Sequence, residues 1–218
     1  MEINQLYPSH IIHLFSKRAV ESWMERTPRR FKKGEQIYFP DKCLEEIYLL
    51  KEGTVRVFHV HQHGKECVLG LMSAGDFIDL ASVFSESDSN LYAIALTDVT
   101  AVQVTKSEIR EQVRQTPDLS MALLHYFSNK LSETVRILEQ VAYEKVEERL
   151  LNRLRHLAEP DKEENGWLPL PDFLTHRDLA GMIASTRETV TFLLNKFIGS
   201  GEIRYKGKKI WIQPEKMD

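Results

Sequence analysis

Thr175-His-Arg-Asp-Leu-Ala-Gly-Met-Ile-Ala-Ser-Thr-Arg-Glu-Thr-Val-Thr-Phe-Leu-Leu194 is the stretch on which the reading of this chain turns. Leu179, Met182 and Ile183 share one helical face; Val190, Leu193, Leu194 and Phe197 share another. Thr175 is placed to cap the first helix and Ser185 or Thr186 the second, since a hydroxyl there accepts from an otherwise orphaned N–H. Only about three residues separate the two patterns, the tight junction of a helix-turn-helix whose second helix enters the DNA major groove. Arg187 and Glu188 open that helix. An arginine grips guanine through O6 and N7, and a glutamate accepts from cytosine N4. Thr189 and Thr191 follow, suited to a base methyl or a phosphate. Ser185-x-x-Glu188 also fits a capping box, in which Glu188 turns back on the helix start. Downstream, Glu202-Ile-Arg-Tyr-Lys-Gly-Lys-Lys-Ile-Trp-Ile212 reads as two short strands around Lys206-Gly207-Lys208. That is a basic wing, and Lys196, Lys206 and Lys208 are candidate phosphate ligands. Capped helix, tight turn, Arg-Glu opening and basic hairpin, in that order, predict a winged DNA-binding domain.

The remainder is ordinary globular sequence. Its 218 residues give room for two modest domains, with 42% hydrophobic and 28% charged residues. A net charge of −3 carries no global sign of a polyanion partner, but residues 165–213 hold seven Lys/Arg against four Asp/Glu. Cys43 and Cys67 are the only cysteines. With no N-terminal signal pattern, a reducing cytoplasm is expected and a disulfide framework is not. Two cysteines cannot ligate a four-cysteine iron–sulfur cluster unaided. A thiol switch at Cys43 or Cys67 stands open beside idle thiols. No apolar run approaches the ~20 residues of a membrane span. No Walker loop and no Ser/His/Asp or Cys/His nucleophile arrangement stands out, so neither an enzyme nor a cofactor is expected.

Residues 1–30 look helical, with Ile11, Ile12, Leu14, Phe15, Val20 and Trp23 as apolar contacts. From 31 to 104 the pattern changes to short strands: Glu46-Ile-Tyr-Leu-Leu50, Thr54-Val-Arg-Val-Phe-His-Val60, Cys67-Val-Leu-Gly-Leu71, Tyr92-Ala-Ile-Ala-Leu96 and Val99-Thr-Ala-Val-Gln-Val104. Gly34, Gly53, Gly64 and Gly75 mark turns between them, and this spacing suggests a β-sandwich or barrel. A helix without Pro or Gly follows at about residues 119–142. Along it Leu124, Leu131 and Leu138 recur every seven residues, each followed three positions on by Phe127, Thr134 or Val141. This is an a/d seam, the signature of a coiled-coil partner; a helix packed on its own β domain gives the same pattern. A second helical run at 146–157 leads to the polar loop Glu159-Pro-Asp-Lys-Glu-Glu-Asn-Gly166.

In this order the parts resemble the CRP/FNR family of bacterial transcription regulators over nearly the whole chain. The resemblance rests on Lys33-Gly34-Glu35, Leu49-x-x-x-Gly53-x-Val55, Gly64-Lys65-Glu66, Gly75-Asp76-Phe77 and, most specifically, Ser185-Thr-Arg-Glu-Thr-Val190. It implies an α+β chain: a cupin-like β-roll (double-stranded β-helix) sensor over residues 1–115, a dimerisation helix over 116–142 and a winged helix-turn-helix over 143–218. It further implies a homodimer on palindromic double-stranded DNA, activation of transcription, and an effector that reorients the recognition helices. RNA polymerase is the implied partner of the 159–166 loop, which also reads as plain linker. Arg187 and Glu188 match the family's main base-reading positions. The third, often Arg, is Phe192, so the half-site should depart from the family's usual sequence. A turn position often held by Gly is Ala184, worth ~1 kcal/mol if its φ is positive.

Cyclic nucleotide binders of the family hold ribose with Glu and phosphate with Arg in a cassette after the Gly-Asp-Phe turn. Here the expected Glu falls at Leu80 and the expected Arg near Ser89 or Asn90. From Glu66 to Thr105 there is no Lys or Arg but six carboxylates (Glu66, Asp76, Asp79, Glu86, Asp88, Asp98). A phosphate there lacks a guanidinium, and an unpaired buried ion costs several kcal/mol. The effector is therefore expected not to be a cyclic nucleotide, a cyclic nucleotide-responsive regulator being the alternative. Thr134 matches a helix position that contacts adenine, although a polar heptad residue explains it equally. Phe77, Leu80, Ser89, Asn90 and Thr134 are the candidate effector pocket, and the effector itself is unidentified. Haem-sensing relatives carry Cys or His where Asp79 and Ala81 stand.

His59-Val-His61-Gln-His63 is the remaining cluster. Gly53, His59, His61 and Glu66 fit most of a cupin metal motif, since alternate strand residues share a face. This supports an alternative, a cupin-like metal-binding protein. The motif's later Gly is Ser73, however, and no second histidine motif follows. A solvated hairpin tip at His63-Gly64 explains the cluster as well.

Overall fold

The computed structural model describes residues 11–40, 45–62, 64–85 and 89–214. Cys43, His63, Glu86 and Asp88 lie outside them. The chain divides into two compact units, residues 1–134 and 135–218.

In the first unit a 3₁₀ turn at Ile11–Leu14 leads to α1 (Lys17–Met24). The Ser16 hydroxyl caps α1 by accepting from the Ala19 N–H. Among the described residues eight strands follow: β1 (Arg29–Phe31), β2 (Gln36–Tyr38), β3 (Glu46–Glu52), β4 (Val55–Val60), β5 (Glu66–Met72), β6 (Phe77–Ile78), β7 (Tyr92–Ala95) and β8 (Val99–Thr105). They form two four-stranded sheets with orders β1-β8-β3-β6 and β2-β7-β4-β5, every pair antiparallel. Period-two alternation sets the layers. Tyr48, Leu50, Ile78, Val99 and Ala101 of the first sheet meet Tyr38, Val55, Val57, Ala93 and Ala95 of the second. The alternate residues Ile47, Leu49, Phe77, Val102 and Val104 turn the other way. They pack on Phe15 and Trp23, on Ile109 of α2 (Lys106–Gln115) and on Leu119 and Leu123 of α3 (Pro117–Tyr143). Gly53 has φ +90° in the β3–β4 turn, where a Cβ would stand 2.3 Å from the Asp98 carbonyl oxygen. Only glycine fits there.

The β-sandwich or barrel expected from strand spacing is present as this jelly-roll-like domain. The five strands read from alternation appear as β3, β4, β5, β7 and β8. Strands β1, β2 and β6 are two or three residues long, too short to alternate visibly. Helix α2 was also illegible as a separate element, although Thr105 and Glu108 form a complete capping box at its start.

Helix α3 spans residues 117–143, and its exposed apolar stripe is Met121, Leu124, Leu131, Val135 and Leu138. Phe127 instead turns toward its own unit, edge-on to Phe84 with ring centroids 6.1 Å apart. Thr134 donates to the Lys130 carbonyl of its own helix and is exposed. Val141 is 41% exposed. The long unbroken helix is thus present, with Met121 and Val135 beside the leucines. Among the described residues no helix is long and apolar enough to cross a membrane.

The second unit contains α4 (Val146–Leu157), β9 (Leu168–Pro169), α5 (His176–Met182), α6 (Arg187–Ser200), β10 (Ile203–Lys206) and β11 (Lys209–Ile212). Its core is built from Leu150, Leu154, Leu157, Leu179, Val190, Leu194, Phe197 and Ile203, all buried. The sheet order is β10-β11-β9. The 159–166 segment is more structured than a plain linker: it holds a 3₁₀ turn at Pro160–Lys162 and an isolated bridge from Glu164 to Trp167.

Candidate nucleic-acid interface

The helix-turn-helix is built from local hydrogen bonds. Thr175 caps α5 through a full capping box: its hydroxyl accepts from the Asp178 N–H, while its own N–H and hydroxyl donate to Asp178 Oδ2 at 2.8 and 2.6 Å. Ile183 closes α5, and Ala184 then adopts φ +51°, the left-handed region. This turn leaves Thr186 rather than Ser185 as the cap of α6, its hydroxyl accepting from the Thr189 N–H at 3.2 Å. Glu188 is therefore one place out of register for a capping box. It is exposed beside Arg187 in the first turn of α6. The capping-box alternative for Glu188 is thereby corrected: the cap partner at that position is Thr189.

Helix α6 buries Val190, Leu193, Leu194 and Phe197; Glu188, Phe192 and Asn195 are exposed on its opposite face, Arg187 is exposed at its first turn and Thr191 is half-buried at the flank. Arg149 of α4 braces the motif from below, donating Nε to the Ile183 carbonyl at 3.1 Å and Nη1 to the Glu144 carbonyl at 2.9 Å.

A polar chain links both helices to the wing. Thr191 Oγ1 donates to the Arg187 carbonyl at 2.9 Å and lies 2.9 Å from His176 Nδ1. His176 Nε2 lies 3.4 Å from the Tyr205 hydroxyl on β10. The consistent assignment is Tyr205 O–H to Nε2, Nδ1–H to Thr191 and Thr191 O–H to the carbonyl. Burial, and then the positive charge of Arg187, hold the imidazole below its ordinary pKa, which favours this neutral form. Thr175, His176, Arg177 and Arg187 line one open hollow. His176, Arg177, Tyr205 and Arg149 were missed in the sequence, because nothing in its spacing brings residues 149, 176 and 205 together.

The wing is the hairpin β10–β11, with Gly207 at φ +63° and Lys208 at its exposed tip. Of the three candidate phosphate lysines, two are held by carboxylates. Lys206 Nζ lies 2.7 Å from both oxygens of Glu164 and 5.3 Å from the Trp211 ring centroid. Lys196 Nζ lies 2.7 Å from both oxygens of Glu147.

In the first unit, Phe77 and Leu80 are 3% and 5% exposed core residues. Phe77 stacks edge-on with Trp23 at 5.7 Å. Ser89 is half-buried, its hydroxyl accepting from the Leu91 N–H, and Asn90 is exposed. The carboxylate-rich segment 66–105 has a cationic neighbour across the β4–β5 pair. Arg56 is 4% exposed, bonded to Glu66 at 2.7 Å and stacked 4.4 Å from the Phe58 ring centroid. The same pairing separates the proposed metal ligands. His59 pairs with Cys67 and Val60 with Glu66, so Glu66 projects from the face opposite His59. His59 and Glu66 cannot share an ion, and the cupin-like alternative loses its carboxylate. No group of three metal-ligating side chains occurs among the described residues.

Comparison with known proteins agrees with this anatomy. The cyclic nucleotide-binding domain family matches residues 28–116, and the Crp-like helix-turn-helix domain family matches residues 148–217. A CRP-like cAMP-activated global transcriptional regulator of Mycobacterium tuberculosis is 26% identical over 85% of this chain and 83% of its own length. A global nitrogen regulator of Synechocystis is 27% identical over 90% of this chain and 88% of its own. Among solved structures, the c-di-GMP responsive regulator CLP of Xanthomonas campestris superposes with a TM-score of 0.76, at 21% identity, over 92% of this chain and 100% of that one. A CRP/FNR-family regulator of Thermus thermophilus gives a TM-score of 0.62 at 28% identity, over 85% of this chain and 93% of that one. With both domain families matched in this order, and an exposed Arg-Glu pair opening the second helix of the motif, the chain is a DNA-binding transcription regulator of the CRP/FNR family.

Proposed function

We propose that this regulator binds a palindromic operator as a homodimer in the cytoplasm and activates transcription through RNA polymerase. Helix α6 lies in the major groove. Arg187 takes guanine O6 and N7, Glu188 accepts from cytosine N4, and Thr189 and Thr191 lie near a methyl or phosphate. Thr175, Ser185 and Thr186 flank the groove at the motif's two helix starts. Lys208 holds phosphate directly, while Lys196 and Lys206 do so by exchanging Glu147 and Glu164 for the DNA backbone. The observation that carries this reading is the Thr186 cap, which leaves both Arg187 and Glu188 exposed at the helix start. The dimer forms along α3 through Leu124, Leu131 and Leu138, flanked by Thr134 and Val141, while Phe127, expected in the same seam, packs on its own unit.

The effector is not a cyclic nucleotide in this reading. Leu80 stands where a ribose-binding Glu would be and is packed in the core, and the buried guanidinium of Arg56 is bonded to Glu66. Any effector pocket formed by Phe77, Leu80, Ser89, Asn90 and Thr134 correspondingly carries no charged side chain. The alternative, a cyclic nucleotide-responsive regulator, draws on the match to the cyclic nucleotide-binding domain family over 28–116. Titrating a selected operator with the protein, with and without saturating cyclic AMP, separates them. Unchanged affinity is expected, and a tenfold or greater gain overturns the proposal.

A further inference from the structure

Phe192 is 68% exposed, more than any other described phenylalanine. It lies on the face of α6 opposite the buried Val190, Leu193, Leu194 and Phe197. Four residues after Glu188, at 100° per residue, it falls about 40° from Glu188 around the helix. The face that presents Glu188 to a base edge therefore presents this ring as well. A phenyl ring has no donor or acceptor, so it cannot answer the polar atoms of guanine, cytosine or adenine. The one apolar group in the major groove is the C5-methyl of thymine. We infer that Phe192 is a specificity residue that selects thymine by packing its ring on that methyl. This inference rests on the DNA-reading role proposed for α6. Five residues of helix advance about 7.5 Å beyond Arg187, and base pairs are spaced about 3.4 Å apart. The thymine therefore lies about two base pairs from the guanine held by Arg187.

The test uses the full-length protein and the duplex it selects from a random pool. Each thymine of the half-site is replaced singly by deoxyuridine, which removes the methyl and leaves the pairing intact. Wild-type protein is expected to lose about fourfold in affinity at one thymine, the worth of one buried methyl-sized group. F192A is expected to bind both duplexes equally, and F192L to keep part of the difference. R187A is expected to lose its guanine preference yet retain the deoxyuridine penalty. If deoxyuridine is harmless at every thymine, or weakens F192A as much as wild type, the assignment of Phe192 is overturned while Arg187 and Glu188 stand. If the wild-type protein selects no sequence, the DNA-reading role of α6 falls, and this inference with it.

Discussion

Arg187 and Glu188 open α6 with exposed side chains that take no part in its cap, which Thr186 makes with Thr189. R187A should weaken operator binding by about 1–3 kcal/mol and relax specificity at one mirrored position, read by competition with single-base operator variants. K208A should weaken all sequences alike and lower the slope of log affinity against log salt by about one. A loss confined to one operator would contradict its phosphate role. Ala184 offers a stability test: at φ +51° its Cβ is strained, so A184G should stabilise the second unit by about 1 kcal/mol in urea unfolding. The Thr175 cap was legible in the sequence because a hydroxyl followed three residues later by a carboxylate has a local meaning. Which of Ser185 and Thr186 caps α6 was not legible, because the choice depends on the backbone of Ala184.

At the scale of elements, the long or strongly periodic segments could be read and the short ones could not. Helix α4 was recovered at its observed limits, and the wing hairpin was marked by Lys206-Gly207-Lys208. The ion pairs that bind elements together were invisible, since Lys206 and Glu164 lie 42 residues apart. The Glu164 pair should hold the wing lysine back from DNA. E164Q is therefore expected to tighten operator binding by up to about fivefold, as exposed pairs are weak, and unchanged affinity would show that Lys206 does not contact phosphate. Arg26 and Glu108 pair in the first unit, tying the segment after α1 to the start of α2. Burial would raise the Glu108 pKa, but the hydrogen bonds from Arg26 and Thr105 outweigh it and hold the carboxyl at about 2. Its folded-state pKa lies below the unfolded value, so its stabilisation is present above about pH 4.5 and is lost as pH falls toward 2. The stability difference between wild type and E108Q should shrink across that window in acid-unfolding curves. A constant difference would contradict the linkage.

For the molecule as a whole, the exposed leucines of α3 are the strongest physical argument for a second copy. Leu124, Leu131 and Leu138 are each at least 60% exposed on one stripe, and burying such a side chain is worth about 1.5–3 kcal/mol. L131E, counted on both chains, should weaken self-association at least about a hundredfold in sedimentation equilibrium. Monomeric wild-type protein at micromolar concentration would contradict the dimer. The two-part plan was legible because strand alternation, a heptad helix and a capped helix pair follow one another along the chain. The Arg56–Glu66 chemistry of the first unit was not, because the two residues meet only through strand pairing. The most direct test of the central claim is selection from random duplex DNA by the purified full-length protein, repeated with R187A. The account predicts a palindrome with G and C at mirrored half-site positions, and R187A losing the preference at one mirrored pair. No enriched sequence, or an enriched sequence that R187A selects unchanged, would contradict it.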